Sequence, residues 1–175
     1  MQTANGQFYY DEEHHGKTLR ELVEGAHSYL AKACGWGFSR PPNPGTFGFD
    51  NMICSIGKAL RSMKICKDTL TLRYVAACVH LGWGENYLYW RDHQPWLDPT
   101  RAYCKPSKRL GDSRRDKCLM TAYDDLPQDE KDKDLAIARF LLSLVQQDPT
   151  QSVPSSAPQS HQRHPLNMGG CLLAP

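Results

Sequence analysis

The stretch LRYVAACVHLGWGENYLYWR, Leu72 to Arg91, decides the fold. Leu72, Val75, Ala76, Val79, Trp83, Tyr87 and Trp90 recur at helical spacing and form one apolar face of a helix that opens near Asp68 and runs to about Arg91. Ala77, His80 and Leu88 lie on the opposite side, which implies a central helix covered on two sides. Gly82 and Gly84 interrupt it, each at a cost of ~1 kcal/mol relative to alanine. Two such glycines in one helix point to close packing or a ligand nearby.

Upstream, Thr18 and Glu21 have capping-box spacing, and Leu19, Leu22, Val23, Ala26, Tyr29, Leu30 and Ala33 follow with helical period. Gly35 and Gly37 end that helix, and Arg40 to Gly45 is a stiff proline-rich loop. Asp50 is placed to cap a second helix with the stripe Met52, Ile53, Ile56, Leu60 and Met63. Downstream, periodicity fails from 92 to 123, where proline and glycine punctuate loops that leave room for a short β-hairpin. A last helix opens after Leu126-Pro127, with Asp129, Glu130 and Asp132 in its first turns, and ends near Gln147. Leu135, Ala138, Leu142 and Val145 give its stripe. The expected fold is mainly α, a compact bundle of about four helices with a long irregular loop and possible room for that hairpin. Residues 1–16 read as a flexible arm, 17–147 as a single helical domain, and 148–175, with five prolines, as a flexible Pro/Ser-rich tail.

Composition sets the outer bounds. The 175 residues carry a formal charge of +2, with 40% hydrophobic residues, enough for a core and too balanced for a surface that is basic throughout. No run approaches the ~18–20 apolar residues of a membrane span. The polar, acidic beginning (Asp11, Glu12, Glu13) has no signal-sequence pattern. Seven scattered cysteines contain no C-x-x-C pair, so reduced thiols, an intracellular, cytoplasmic setting and no metal site are expected. The charge is unevenly spread: residues 101–117 hold seven cations against two acids, and residues 124–134 hold six acids against two lysines. That pattern reads either as a solvated loop beside an acidic helix start or as an anion site.

Trp83, Tyr87, Tyr89, Trp90, Trp96 and Tyr103 crowd into 21 positions beside His80, Asn86 and Arg91. Most aromatics at helical spacing are core, but Trp and Tyr beside a basic loop are also the groups that stack a base while Arg or Lys holds phosphate. Catalysis has little support. Cys78 and His80 point to different faces of one helix, and no nucleophile-elbow, P-loop or zinc-protease motif occurs. No catalytic residue and no cofactor are expected.

One segment resembles a known family. His80-Leu81-Gly82-Trp83 matches the His-x-x-Trp of the ryanodine-receptor repeat domain. Trp96, the basic loop with Lys105 and then the run from Tyr123 to Asp134 follow in that family's order, so the resemblance covers about 73–145. The chain departs from the pattern at Gln94-Pro95-Trp96-Leu97, where the family has Gly-Trp-x-x-Gly, and no His-Pro precedes the final motif. The resemblance implies a small helical binding module rather than an enzyme, with a nucleotide-type ligand as a suspected role. Carried over by position, it nominates His80, Trp83, Trp96, Lys105 and Tyr123. The residue pattern adds Asn86, Tyr87, Trp90, Arg91 and Arg101. The expected partner is a small anionic ligand held by aromatic stacking and Arg or Lys. The alternatives are a protein-interaction or self-association module, and nucleic-acid binding through 101–117.

Overall fold

Five α-helices make up the described part of the chain: α1 (Leu19–Ala33), α2 (Phe47–Ile65), α3 (Leu72–His93), α4 (Ser113–Met120) and α5 (Gln128–Gln146). Short 3-10 turns lie at Pro95–Leu97 and Tyr123–Asp125. The computed structural model describes residues 16–37, 39–66, 70–100, 102–106 and 110–146. The expected tail, the expected arm apart from Gly16, and Arg101, Lys108 and Arg109 of the basic loop lie outside these.

Threonines start the first three helices. Thr18 forms the complete capping box with Glu21 that the spacing predicts, while Thr46 and Thr71 accept from the backbone N–H groups of Phe49 and Tyr74. Asp50 is therefore not the cap of α2. It lies inside the first turn, fully buried, where its carboxylate accepts from the Trp90 indole Nε1 at 3.2 Å. At the other end of α1, Gly35 takes φ +63°, and the N–H of Trp36 donates to the Ala31 carbonyl at 2.9 Å. The glycine supplies the left-handed residue of a Schellman stop, which fixes where Trp36 emerges.

The fold is a mainly helical bundle. α3 packs between α2 and α5, and α1 lies across α5 and touches α2. Leu22, Val23 and Ala26 of α1, the whole α2 stripe predicted above, Val75, Ala76 and Val79 of α3, and Ile137 and Leu141 of α5 fill one core. The outer side of α3 is less covered than expected, since Leu81 is exposed and Ala77 and Leu88 are half-buried. The buried face of α5 is turned from the predicted stripe. Ala136, Ile137, Phe140, Leu141 and Leu144 face inward with Ala138, whereas Leu135, Leu142 and Val145 are only half-buried.

Both glycines of α3 mark close neighbours. A Cβ on Gly82 would lie 2.3 Å from the Cys54 carbonyl oxygen, so α2 and α3 cross there backbone to backbone. A Cβ on Gly84 would meet the Leu119 side chain at 3.0 Å, which is where α4 crosses α3. α4 itself falls in the region without periodicity. Cys118 is its one buried residue, so the sequence offers no apolar stripe to detect. Asp112 caps it through the Arg114 N–H. Among the described residues of 92–123 there is no strand, and the room left for a hairpin there holds the Pro95–Leu97 turn and α4 instead. No helix among the described residues is long and apolar enough to cross a membrane.

Candidate functional site

A cleft of about 390 Å³ opens where all five helices approach one another. Its floor is Met52 and Ser55 of α2, His80 and Trp83 of α3, and Asp134 and Ile137 of α5. Its rim carries Trp36 beyond the end of α1, Asp112, Arg114 and Arg115 at the start of α4, and Glu130 and Lys133 of α5. That volume suits a small organic ligand.

His80 and Asp134 are the buried polar centre of the cleft. The ring Nδ1 lies 3.0 Å from the Asp134 Oδ2, and Nε2 lies 3.4 Å from the Cys118 carbonyl. An imidazole with an oxygen acceptor at each nitrogen is satisfied only when both nitrogens carry protons. Burial works to lower the basicity of His80, but the bonds to Asp134 and the Cys118 carbonyl outweigh it and hold the ring above the usual imidazole range. Burial likewise raises the Asp134 carboxyl, and the His80 contact draws it back only in part. Trp83 stacks on this ring at 5.2 Å between centroids, with its other neighbour Tyr87 at 5.5 Å and nearly parallel. An imidazolium on an indole gains cation–π attraction as well as packing area. The Cys118 thiol is pushed upward by burial, so at neutral pH it is a protonated thiol rather than a nucleophile.

The cationic rim is paired from within. Arg114 reaches across to α5, meeting Asp129 at 2.5 Å and Glu130 at 2.6 Å, and Lys133 meets the other oxygen of Glu130 at 2.6 Å. Arg115 lies 3.8 Å from Asp112. The basic segment and the acidic helix start of the sequence thus face each other across the mouth of the cleft. Among the described residues no three His, Cys, Asp or Glu side chains converge to hold a metal ion.

The residues nominated from sequence do not all meet at the cleft. His80 and Trp83 line the cleft, and Tyr123 leans on His80 from outside it at 6.0 Å between ring centroids. The Tyr123 hydroxyl is buried without a hydrogen-bond partner, and desolvation pushes it up to about 12. Trp90, Trp96 and Tyr103 form a separate aromatic cluster with Phe47 at the far end of α3. Ten helical residues separate Trp90 from His80, roughly 15 Å. Trp90 is fully buried with its N–H spent on Asp50, and Asn86 and Tyr87 are fully buried too. With no surface open to solvent, these three nominated residues are part of the interior rather than of a ligand-facing wall. The Tyr87 hydroxyl donates to Asp116 and accepts from the Gly111 N–H, tying down the loop before α4. Arg91 pairs with Asp92 and Asp116 on that same side, Lys105 is exposed and outside the cleft, and Arg101 lies outside the described residues.

Sequence reading missed Trp36, Arg114, Arg115, Glu130, Lys133 and Asp134 as a set. A signal for part of it was present: Glu130, Lys133, Asp134 and Ile137 stand at i, i+3, i+4 and i+7 on one face of α5, in register with a core isoleucine. Comparison of the chain with protein-family models, with curated proteins and with solved structures gave no match.

Proposed function

We propose that this chain is a non-catalytic binding module, similar to a ryanodine-receptor repeat over 73–145, that takes a small aromatic anion of the nucleotide type in the five-helix cleft. One observation carries the reading: aromatic rings and cationic side chains converge there in a single concavity of ligand size, with Trp36 and Trp83 beside Arg114, Arg115 and Lys133. The roles differ from those the linear pattern suggested. Trp36 is 45% exposed and meets the His27 ring only at a tilt, 6.1 Å between centroids, whereas Trp83 is stacked against both His80 and Tyr87. Stacking therefore falls to Trp36, and neutralisation of the anion to Arg114, Arg115 and Lys133. His80, whose basicity the Asp134 and Cys118 contacts raise, lies on the floor, where a proton on both ring nitrogens would add positive charge.

The test is thermal unfolding of the purified chain against a panel of nucleotides and cyclic dinucleotides, with Trp36→Ala as the control. A ligand at 100 times its Kd adds ~2.7 kcal/mol of stability. A shift with one member that Trp36→Ala abolishes supports the reading. No shift with any member, or one unchanged in Trp36→Ala, overturns it.

A further inference from the structure

Glu130 stands apart from the other carboxylates around the cleft. Its side chain is only 19% exposed, and its two oxygens go to two different helices: Oε1 to Arg114 of α4 and Oε2 to Lys133 of α5, each at 2.6 Å. Asp129, by contrast, meets Arg114 from the solvent side with 61% of its side chain exposed. A carboxylate bridged by a guanidinium and an ammonium inside a ligand-sized cleft holds the place of an incoming oxyanion. The bridge also ties α4 to α5. α4 has only Cys118 buried in the core, so polar contacts of this kind supply much of what holds it in place.

From this geometry we infer that Glu130 is an internal occupant of the anion subsite, and that a ligand's terminal phosphate or carboxylate enters by displacing it from Arg114 and Lys133. The inference rests on the cleft being the binding site. Glu130 offsets part of the positive charge of the cleft, where three carboxylates, Asp112, Glu130 and Asp134, face Arg114, Arg115, Lys133 and the His80 ring. A dianionic phosphate that expels Glu130 takes over both cationic partners, so discrimination favours ligands with more charge than the carboxylate they replace. The bound form is competent only in the fraction of molecules whose Glu130 has swung out, and apparent affinity is reduced by that fraction.

The experiment is calorimetric titration of the full chain and of Glu130→Gln with adenosine 5′-monophosphate, adenosine and inorganic phosphate, at low and at moderate salt. Glutamine keeps the shape and removes the competing charge. The expected result is adenosine 5′-monophosphate binding ~10-fold tighter to Glu130→Gln, equivalent to a competent fraction near one in ten in the parent chain. Adenosine, which brings no oxyanion, should bind both proteins alike. Asp129→Asn makes the same change of charge on the same arginine and should move affinity by no more than about twofold, because Asp129 occupies no subsite.

If the parent chain binds adenosine 5′-monophosphate and Glu130→Gln binds it no better, the inference falls while the cleft reading stands. If Asp129→Asn matches Glu130→Gln, general electrostatics explains the gain and the inference also falls. Binding only to Glu130→Gln supports it, with Glu130 as a full block. Binding of the nucleotide to neither protein overturns the inference, and the cleft reading falls with it when the wider nucleotide panel also gives no shift. Urea unfolding of each variant confirms that it is folded before titration.

Discussion

Replacing Gly82 with alanine gives the sharpest test of how α2 and α3 meet. By propensity alone the change favours α3, since alanine in a helix interior gains ~1 kcal/mol over glycine. Geometry opposes it. The new methyl would sit 2.3 Å from the Cys54 carbonyl oxygen and 2.8 Å from both the Cys54 carbonyl carbon and the Ser55 Cα, all of them backbone atoms that no rotamer change can move. Restoring an ordinary contact of ~3.3 Å requires the two helices to part by about 1 Å, and overpacking of this sort costs typically ~1–3 kcal/mol. Parting the helices also stretches the buried bond from Trp90 Nε1 to the Asp50 carboxylate, now 3.2 Å, and a hydrogen bond to a charged group contributes ~1.5–3 kcal/mol. Setting the propensity gain against these losses leaves Gly82→Ala less stable by about 1.5–5 kcal/mol, the upper part of that range applying if the buried bond is lost. Urea unfolding followed by tryptophan fluorescence reads this as a lower midpoint at unchanged slope. Gly84→Ala is the internal control. Its methyl meets only the end of the Leu119 side chain at 3.0 Å, which can move, so that variant should fall within about 1 kcal/mol of the parent. A Gly82→Ala protein as stable as the parent, or more stable, would refute a backbone-to-backbone crossing.

Three further outcomes follow from the same contacts. Asp50→Ala leaves the fully buried Trp90 N–H without the acceptor it now has, at a cost of at least ~1–3 kcal/mol, measurable by the same urea titration and by a shift in Trp90 emission. His80 and Asp134 both bind protons more tightly in the folded chain than in the unfolded one, so stability contributed by His80 is fully present below pH ~6.5 and is lost as pH rises through its elevated folded value. Melting temperature should therefore fall on the alkaline side. In Asp134→Asn burial acts with less opposition, and NMR titration should find His80 moved downward; no movement would remove the pair from the account. Gly35→Ala forces a side chain into φ +63°, which costs ~1–2 kcal/mol, and loosens the turn that presents Trp36, so any nucleotide-induced thermal shift should shrink with it.

The bundle was legible where apolar residues recur and where the turns have a chemical signature. The α2 stripe and the box of Thr18 and Glu21 could be read almost residue by residue, because a buried face and a cap each leave a fixed spacing. α4 left none. Four of its eight residues are charged and its apolar ones, Cys118, Leu119 and Met120, run consecutively rather than at helical spacing, while long-range contacts such as Tyr87 with Asp116 and Arg114 with α5 follow no local pattern. The aromatic cluster misled for a related reason. Trp83 and Trp90 share a helix face at the spacing a binding surface would show, yet a face seven residues long passes from the cleft into the core, and sequence periodicity cannot mark where one ends and the other begins. Trp36 was overlooked because it follows a helix stop and belongs to no stripe.

The opposite charges lie in separate segments of the sequence and meet only in the structure. A basic loop of residues 101–117 beside an acidic start to the last helix could have produced two opposed surface patches, one of them open to a polyanion. Arg114 instead pairs with Asp129 and Glu130, and Arg115 lies 3.8 Å from Asp112, so these two cations of the basic segment face carboxylates rather than open solvent alone. A surface groove for a nucleic-acid backbone needs cations facing solvent in a row, free of carboxylates. A cleft whose cations are already engaged asks for something different, a compact anion able to outcompete a carboxylate held at 2.6 Å. Near-neutral total charge thus hides 21 basic and 19 acidic side chains, and on the exchange inferred above an anion enters the cleft by displacing one of its carboxylates.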